Sequence, residues 1–224
     1  MGIPSDRDLL KAFRLLNDTY KKNLSRFRTA EDLSDTVLDP MSLFVHTIFS
    51  GVSDNDEWFK LEKIRRMDKA FTNQIGVFHE KILSSVEGWH KPSGGFDLAN
   101  SSRKIIVEIK NKHNTMNSSS ASDTYEKCYR YHRTNREWTV YLAYVVPKGG
   151  IIDAPWVTSG RAPNDKIRVI DGATLYDMVT QEDNSLRKIY LKIIGLLDRL
   201  ELQINERQIS MILDAYDKCY PKPL

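Results

Sequence analysis

GGFDLANSSRKIIVEIKNKHN, residues Gly94 to Asn114, sets an acid and a base into an otherwise apolar, β-branched run. Lys104 to Lys110 and Phe96 to Ala99 are strand candidates, joined by the turn-rich Asn100–Arg103. A charge in an apolar strand is costly unless something uses it. Side chains alternate along a strand, so Glu108 and Lys110 share one face with Lys104 and Ile106. Ile105, Val107 and Ile109 then point the other way, into helices. With residues 100–103 as the hairpin loop, Ala99 faces Lys104, and Asp97 lies opposite Ile106 on the face of Glu108. A slip of one residue would send Asp97 to the far side.

In that register two carboxylates and one ammonium converge at a sheet edge. Neighbouring carboxylates repel unless a cation lies between them, and an all-oxygen site open to water suits Mg²⁺ or Mn²⁺. A divalent ion there polarises a phosphate, and Lys110 is placed to steady the growing charge. This is chemistry for breaking a phosphodiester. The competing reading is a surface strand with a solvated Glu108–Lys110 pair and a turn aspartate.

Outward from the hairpin, the residues before it read as helices. Leu9, Phe13, Leu16 and Tyr20 recur at three- and four-residue steps. Asp39-Pro40 has the form of an N-cap followed by a first-turn proline, opening a helix with Leu43, Phe44, Thr47 and Ile48. Trp58, Leu61, Ile64, Phe71, Ile75, Phe78 and Ile82 continue the periodicity, with Gly76 a point of kinking or division. After the hairpin, residues 111–123 are polar and poor in aliphatics, and read as a loop. TYEKCYRYHRTNRE then reads as a helix, WTVYLAYVV as the central strand, and KIRVI as a shorter one. Two or three helices close the chain, supported by Leu175, Met178 and Val179, and then by Leu186, Tyr190, Ile193, Ile194 and Leu197. Strands embedded among helices make an α/β protein. The expected organisation is one domain over 1–224: a mainly helical part over 1–85, an α/β core over 86–172, and closing helices over 173–224.

At 224 residues the chain can bury a substantial core. No apolar run is long enough for a bilayer crossing, and MGIPSDRDLL is not a signal peptide, so a cytoplasmic location is expected. Cys128 and Cys219 lack C-x-x-C spacing and read as reduced thiols. A net charge of +3 permits nucleic-acid binding without demanding it.

Asp97 followed by Glu108-Ile109-Lys110 on the next strand resembles the PD-(D/E)XK nuclease motif. That superfamily includes most type II restriction endonucleases and several repair and recombination nucleases. The resemblance implies a restriction-endonuclease-like central mixed β-sheet flanked by helices, with a helical N-terminal region. It also implies Asp97, Glu108 and the Ile109 main-chain carbonyl as metal ligands, Lys110 as the catalytic lysine, and Mg²⁺ as cofactor with Mn²⁺ able to substitute. Phe96 stands where the family has proline. Glu80, on the preceding helix, is the candidate for the further acid that many of these enzymes carry. The stretches IFSGVSDNDEWFKLEKIRRMDKAF, FHEKILSSVEGWH and VEIKNKHNTMN look like one restriction-endonuclease subfamily, associated with GGNCC-type sites.

Asn111, Lys112, His113, Asn114 and Asn117 offer donors for base edges and phosphates, against a plain turn-forming role. Arg130 and Arg133, with Arg136, form a candidate phosphate-facing stripe, against a solvated helix face. His79 and His113 lack partners at metal-ligand spacing. The leading expectation is a type II restriction endonuclease acting on double-stranded DNA as a homodimer, with a cognate DNA methyltransferase as functional partner. The alternatives are a repair or recombination nuclease, and a non-catalytic DNA-binding or regulatory module.

Overall fold

The apolar run identified above becomes the second strand of a five-stranded mixed sheet. The computed structural model describes residues 2–26, 39–113, 116–150, 153–158 and 162–221. The strands are β1 (Leu98–Asn100), β2 (Ile105–Lys112), β3 (Thr139–Val146), β4 (Asp153–Pro155) and β5 (Ile167–Asp171). Their order is β1-β2-β3-β5-β4, so the TVYLAYVV strand is central as expected. β2, β3 and β5 run parallel, and β1 and β4 are antiparallel edges. β4 was not expected, because its sequence is only Asp-Ala-Pro. A short edge strand is where a sheet tolerates proline, which has no N–H to donate.

The helices are α1 (Asp6–Arg26), α2 (Pro40–Phe49), α3 (Asn55–Ser84), α4 (Ser118–Thr134), α5 (Gly172–Thr180), α6 (Ser185–Leu196) and α7 (Glu206–Cys219). Asp39 caps α2 through Met41 N–H, as its sequence predicts. α3 runs unbroken through Gly76. α4 starts earlier than expected: Asn117 is its N-cap and accepts from Ser120 N–H at 2.8 Å. The serines after it form the first turn, and the loop shrinks accordingly. Arg136 lies beyond the end of α4, so the three-arginine stripe is not a single helical face.

The chain divides into two compact units, residues 13–77 and residues 1–12 with 78–224. In the first, the rings of Tyr20 and Phe71 meet edge-on at 6.1 Å. α2 buries none of its residues and leaves Met41, Phe44, Ile48 and Phe49 exposed.

In the second unit the sheet has a core on each face. Ile105, Val107 and Ile109 turn, as expected, toward one face, packing with Leu9, Leu83, Leu175, Tyr176, Leu186 and Tyr216. Ile106, Val140 and Leu142 turn toward the other, against Phe96, Tyr125, Cys128 and Trp156. Helical spacing of Tyr125 and Cys128 therefore seats α4 on the face that carries Glu108. Cys128 and Cys219 are free thiols, and burial pushes that of Cys128 up to about 12.

His79 is fully enclosed, its Nδ1 2.8 Å from the Tyr176 hydroxyl. Burial lowers its pKa from 6.5 to about 4, so the folded protein holds a neutral imidazole. Below pH 6.5 the unfolded chain takes up a proton that the folded chain refuses until about pH 4. Stability present above pH 6.5 is therefore lost as pH falls through that window, by about 3 kcal/mol from this group. Urea unfolding at pH 7 and pH 4.5 should show a smaller decline in His79→Asn than in wild type. An equal decline in both would assign the acid sensitivity elsewhere.

Candidate nuclease site

The hairpin loop is Ser101 to Lys104, with Lys104 in the left-handed region at φ 54°. The Asn100 side chain accepts from Ser102 Oγ (2.8 Å) and Arg103 N–H (3.0 Å) and closes this turn. Pairing is consequently Leu98↔Val107, Ala99↔Ile106 and Asn100↔Ile105. This corrects the expected Ala99–Lys104 register by two residues, because β2 begins after Lys104. A shift of two preserves the alternation. Lys104 itself lies in the turn, ion-paired with Glu137 at 3.5 Å and with its ammonium 5.6 Å from the Trp138 ring centre.

Extending the register one step past Leu98 brings Asp97 beside Glu108. The chain bends there, with Asp97 N–H donating to the Val107 carbonyl at 3.0 Å. The Asp97 carboxylate is held by Ile109 N–H, which donates to Oδ2 at 2.7 Å. In a strand the N–H and C=O of one residue point to the same side, so the Ile109 carbonyl faces the same edge as Asp97. Glu108 is 7% exposed. Its two oxygens each take an ammonium: Lys110 Nζ at 2.8 Å on Oε1, and Lys127 Nζ at 2.5 Å on Oε2.

Burial is the main cause that raises the Asp97 pKa from 3.8 to about 6. The Ile109 hydrogen bond and the Lys127 charge oppose it, while the Glu108 and Glu80 carboxylates reinforce it. Glu80, on α3, thus contributes to the field at Asp97. Its own ion pair is with Lys91, at 2.7 Å.

The donor set suits a hard divalent ion. Asp97 carries a carboxylate whose ionisation is opposed by burial and two acidic neighbours, and a cation would relieve both effects. Among the described residues there is no group of three or more His, Cys, Asp or Glu side chains suited to holding a metal. Mg²⁺ does not require one, since it is commonly held by one or two carboxylates with waters and phosphate oxygens completing its shell.

The remaining sequence candidates are dispersed. Asn111 falls on the opposite face of β2 from Lys110, and Lys112 on the same face. His113 is exposed, its ring centroid 5.2 Å from that of Tyr144. Asn114 lies outside the described residues. Asn117 is engaged as the α4 cap. Arg130 and Arg133 are exposed on α4, Arg130 with Glu126 at 3.2 Å.

The residue missed from the sequence is Lys127. It lies among basic and aromatic residues of α4, where only the arginines stood out. One signal was available: Lys127 directly precedes buried Cys128, and so flanks the face that packs on the sheet. Its ammonium also takes the Gly95 carbonyl at 2.5 Å and lies 4.3 Å from the Phe96 ring centre. Phe96, at the family's proline position, is buried, with its ring 5.2 Å from that of Tyr131.

A mixed sheet whose first hairpin presents Asp97, Glu108 and Lys110, flanked by helices on both faces, has the architecture and motif of a PD-(D/E)XK nuclease. Sequence comparison narrows the class. The chain belongs to the Eco47II restriction endonuclease family, whose sequence model matches residues 2–200. It is 31% identical over 199 residues to the type II restriction enzyme Eco47II of Escherichia coli, covering 83% of this chain and 82% of that one. It is 26% identical to the type II restriction enzyme Sau96I of Staphylococcus aureus, over 94% of this chain and 85% of the relative. No helix among the described residues is long and apolar enough to cross a membrane.

Proposed function

We propose that this protein hydrolyses phosphodiester bonds in both strands of double-stranded DNA at a short specific site, with Mg²⁺ as cofactor and Mn²⁺ as a substitute. The observation that carries the reading is the hairpin in which Ile109 N–H fixes Asp97 while Glu108 and Lys110 share the adjacent face. Asp97, Glu108 and the Ile109 carbonyl hold the ion, and Glu80 adds negative charge behind Asp97. The ion, when bound, supplies a Lewis acid at the scissile phosphate. Lys110 orients the attacking water and offsets charge that builds on the phosphate oxygens. Lys112, His113, Arg130 and Arg133 are exposed donors for the DNA backbone and bases, with Asn111, Asn114 and Asn117 as further candidates. A two-fold symmetric target is met most simply by a homodimer. A host carrying this activity needs a methyltransferase to protect its own sites. The proposed target is of the GGNCC type, from the resemblance of residues 48–117.

Plasmid of known sequence, incubated with the protein and Mg²⁺ and then end-mapped, tests this directly. Discrete fragments ending at GGNCC sites are expected. Discrete ends at another common sequence would remove the target assignment alone. Cutting at flaps or mismatches would indicate a structure-selective nuclease, and intact plasmid in both Mg²⁺ and Mn²⁺ would overturn the proposal.

A further inference from the structure

Each oxygen of Glu108 accepts from one ammonium, so a divalent ion approaching this ligand meets two positive charges that it must push aside or be repelled by. The two lysines differ in what else holds them. Lys127 is also held by the Gly95 carbonyl (2.5 Å) and by the face of the Phe96 ring (4.3 Å). If it gives up Glu108 it remains anchored beside the site, with its charge intact.

Charge balance points the same way. Asp97 and Glu108 are matched by Lys110 and Lys127, and Glu80 by Lys91. Adding a divalent ion leaves a cationic centre that needs an incoming anion, and a DNA phosphate is one.

Building on the nuclease reading, we propose that Lys127 is a place-holding cation. It pairs with Oε2 of Glu108, keeps the affinity for metal low until DNA arrives, and then presents its ammonium to the entering phosphate. It is a positioning residue, acting on the metal through Glu108.

The test is Mn²⁺ binding to the DNA-free protein, followed by calorimetry and by the paramagnetic resonance of the free ion. Lys127→Gln and Lys127→Met should each bind Mn²⁺ about tenfold more tightly than wild type, because a nearby positive charge has gone. Lys127→Arg, which keeps that charge, should stay within about threefold of wild type. A purely structural lysine would give the opposite sign, since its loss loosens the site and weakens binding. Unchanged, weaker or undetectable Mn²⁺ binding in the folded charge-removing variants would overturn the proposal, with folding checked by circular dichroism. Should Lys127→Gln fail to fold, Lys127→Met and Lys127→Arg carry the same comparison. Asp97→Asn separates the two levels of inference. If it abolishes Mn²⁺ binding while the Lys127 variants bind like wild type, the metal site stands and the place-holder fails. If Asp97→Asn binds Mn²⁺ as wild type does, the metal site itself is misplaced.

Discussion

Glu108→Gln should bind its DNA site and cut it at a rate lower by about a thousandfold or more. The substitution keeps the shape of the side chain, but removes the negative charge that pairs with Lys110 and Lys127 and that the proposed divalent ion would need. Lys110→Ala should lose a comparable factor, with metal binding preserved. Both lysines are partly exposed, at 29% and 33%, so losing their partner leaves them hydrated and costs little stability. Thermal melting near the wild-type temperature, gel-shift binding in Ca²⁺ and single-turnover cleavage in Mg²⁺ separate a chemical defect from a folding one. Cleavage by either variant at the wild-type rate would show that the hairpin is not the catalytic site.

Gly172→Ala has the largest expected effect on stability. Gly172 opens α5, immediately after β5, and is buried. A Cβ there would lie 2.3 Å from the Val145 carbonyl oxygen and 2.9 Å from Val145 Cα, both backbone atoms of the central strand. A flexible side chain could swing aside, but a strand in mid-sheet cannot. The same carbonyl accepts a hydrogen bond from the Tyr220 hydroxyl, which ties the C-terminal end of the chain to this point. Asp171, the α5 cap, accepts from Thr174 N–H at 3.1 Å and so holds the helix start in place. Overpacking of this kind costs about 3 kcal/mol, or roughly 6–12 °C in Tm for a chain of this size. Calorimetry of Gly172→Ala beside wild type measures it. A Tm within about 2 °C of wild type would mean that α5 can move off β3 at little cost.

Much of the fold was legible because it depends on local pattern. The alternation in Ile105–Ile109 defines a strand with two distinct faces, and both faces found cores. Asp39-Pro40 marks a helix start by cap chemistry alone. The errors fall where a local signal was weak or had a competitor. Asn and Ser after β2 suit a loop as well as a cap and first turn, and the apolar face of α4 decided for the helix. The hairpin register depended on where the turn closed, which the Asn100 side chain and the left-handed Lys104 determine.

For the candidate site, the sequence by itself determined the chemistry of the hairpin: an aspartate, a glutamate and a lysine at strand spacing, with parity that survives a register shift of two. That follows because alternation is a property of any extended chain. Only the tertiary structure decided what stands around Glu108. Lys127 reaches it from a helix 19 residues further on, and Glu80, a candidate from the resemblance, is brought close enough to add its field at Asp97. Such meetings are set by how α3 and α4 pack on the sheet, and no spacing along the chain records them.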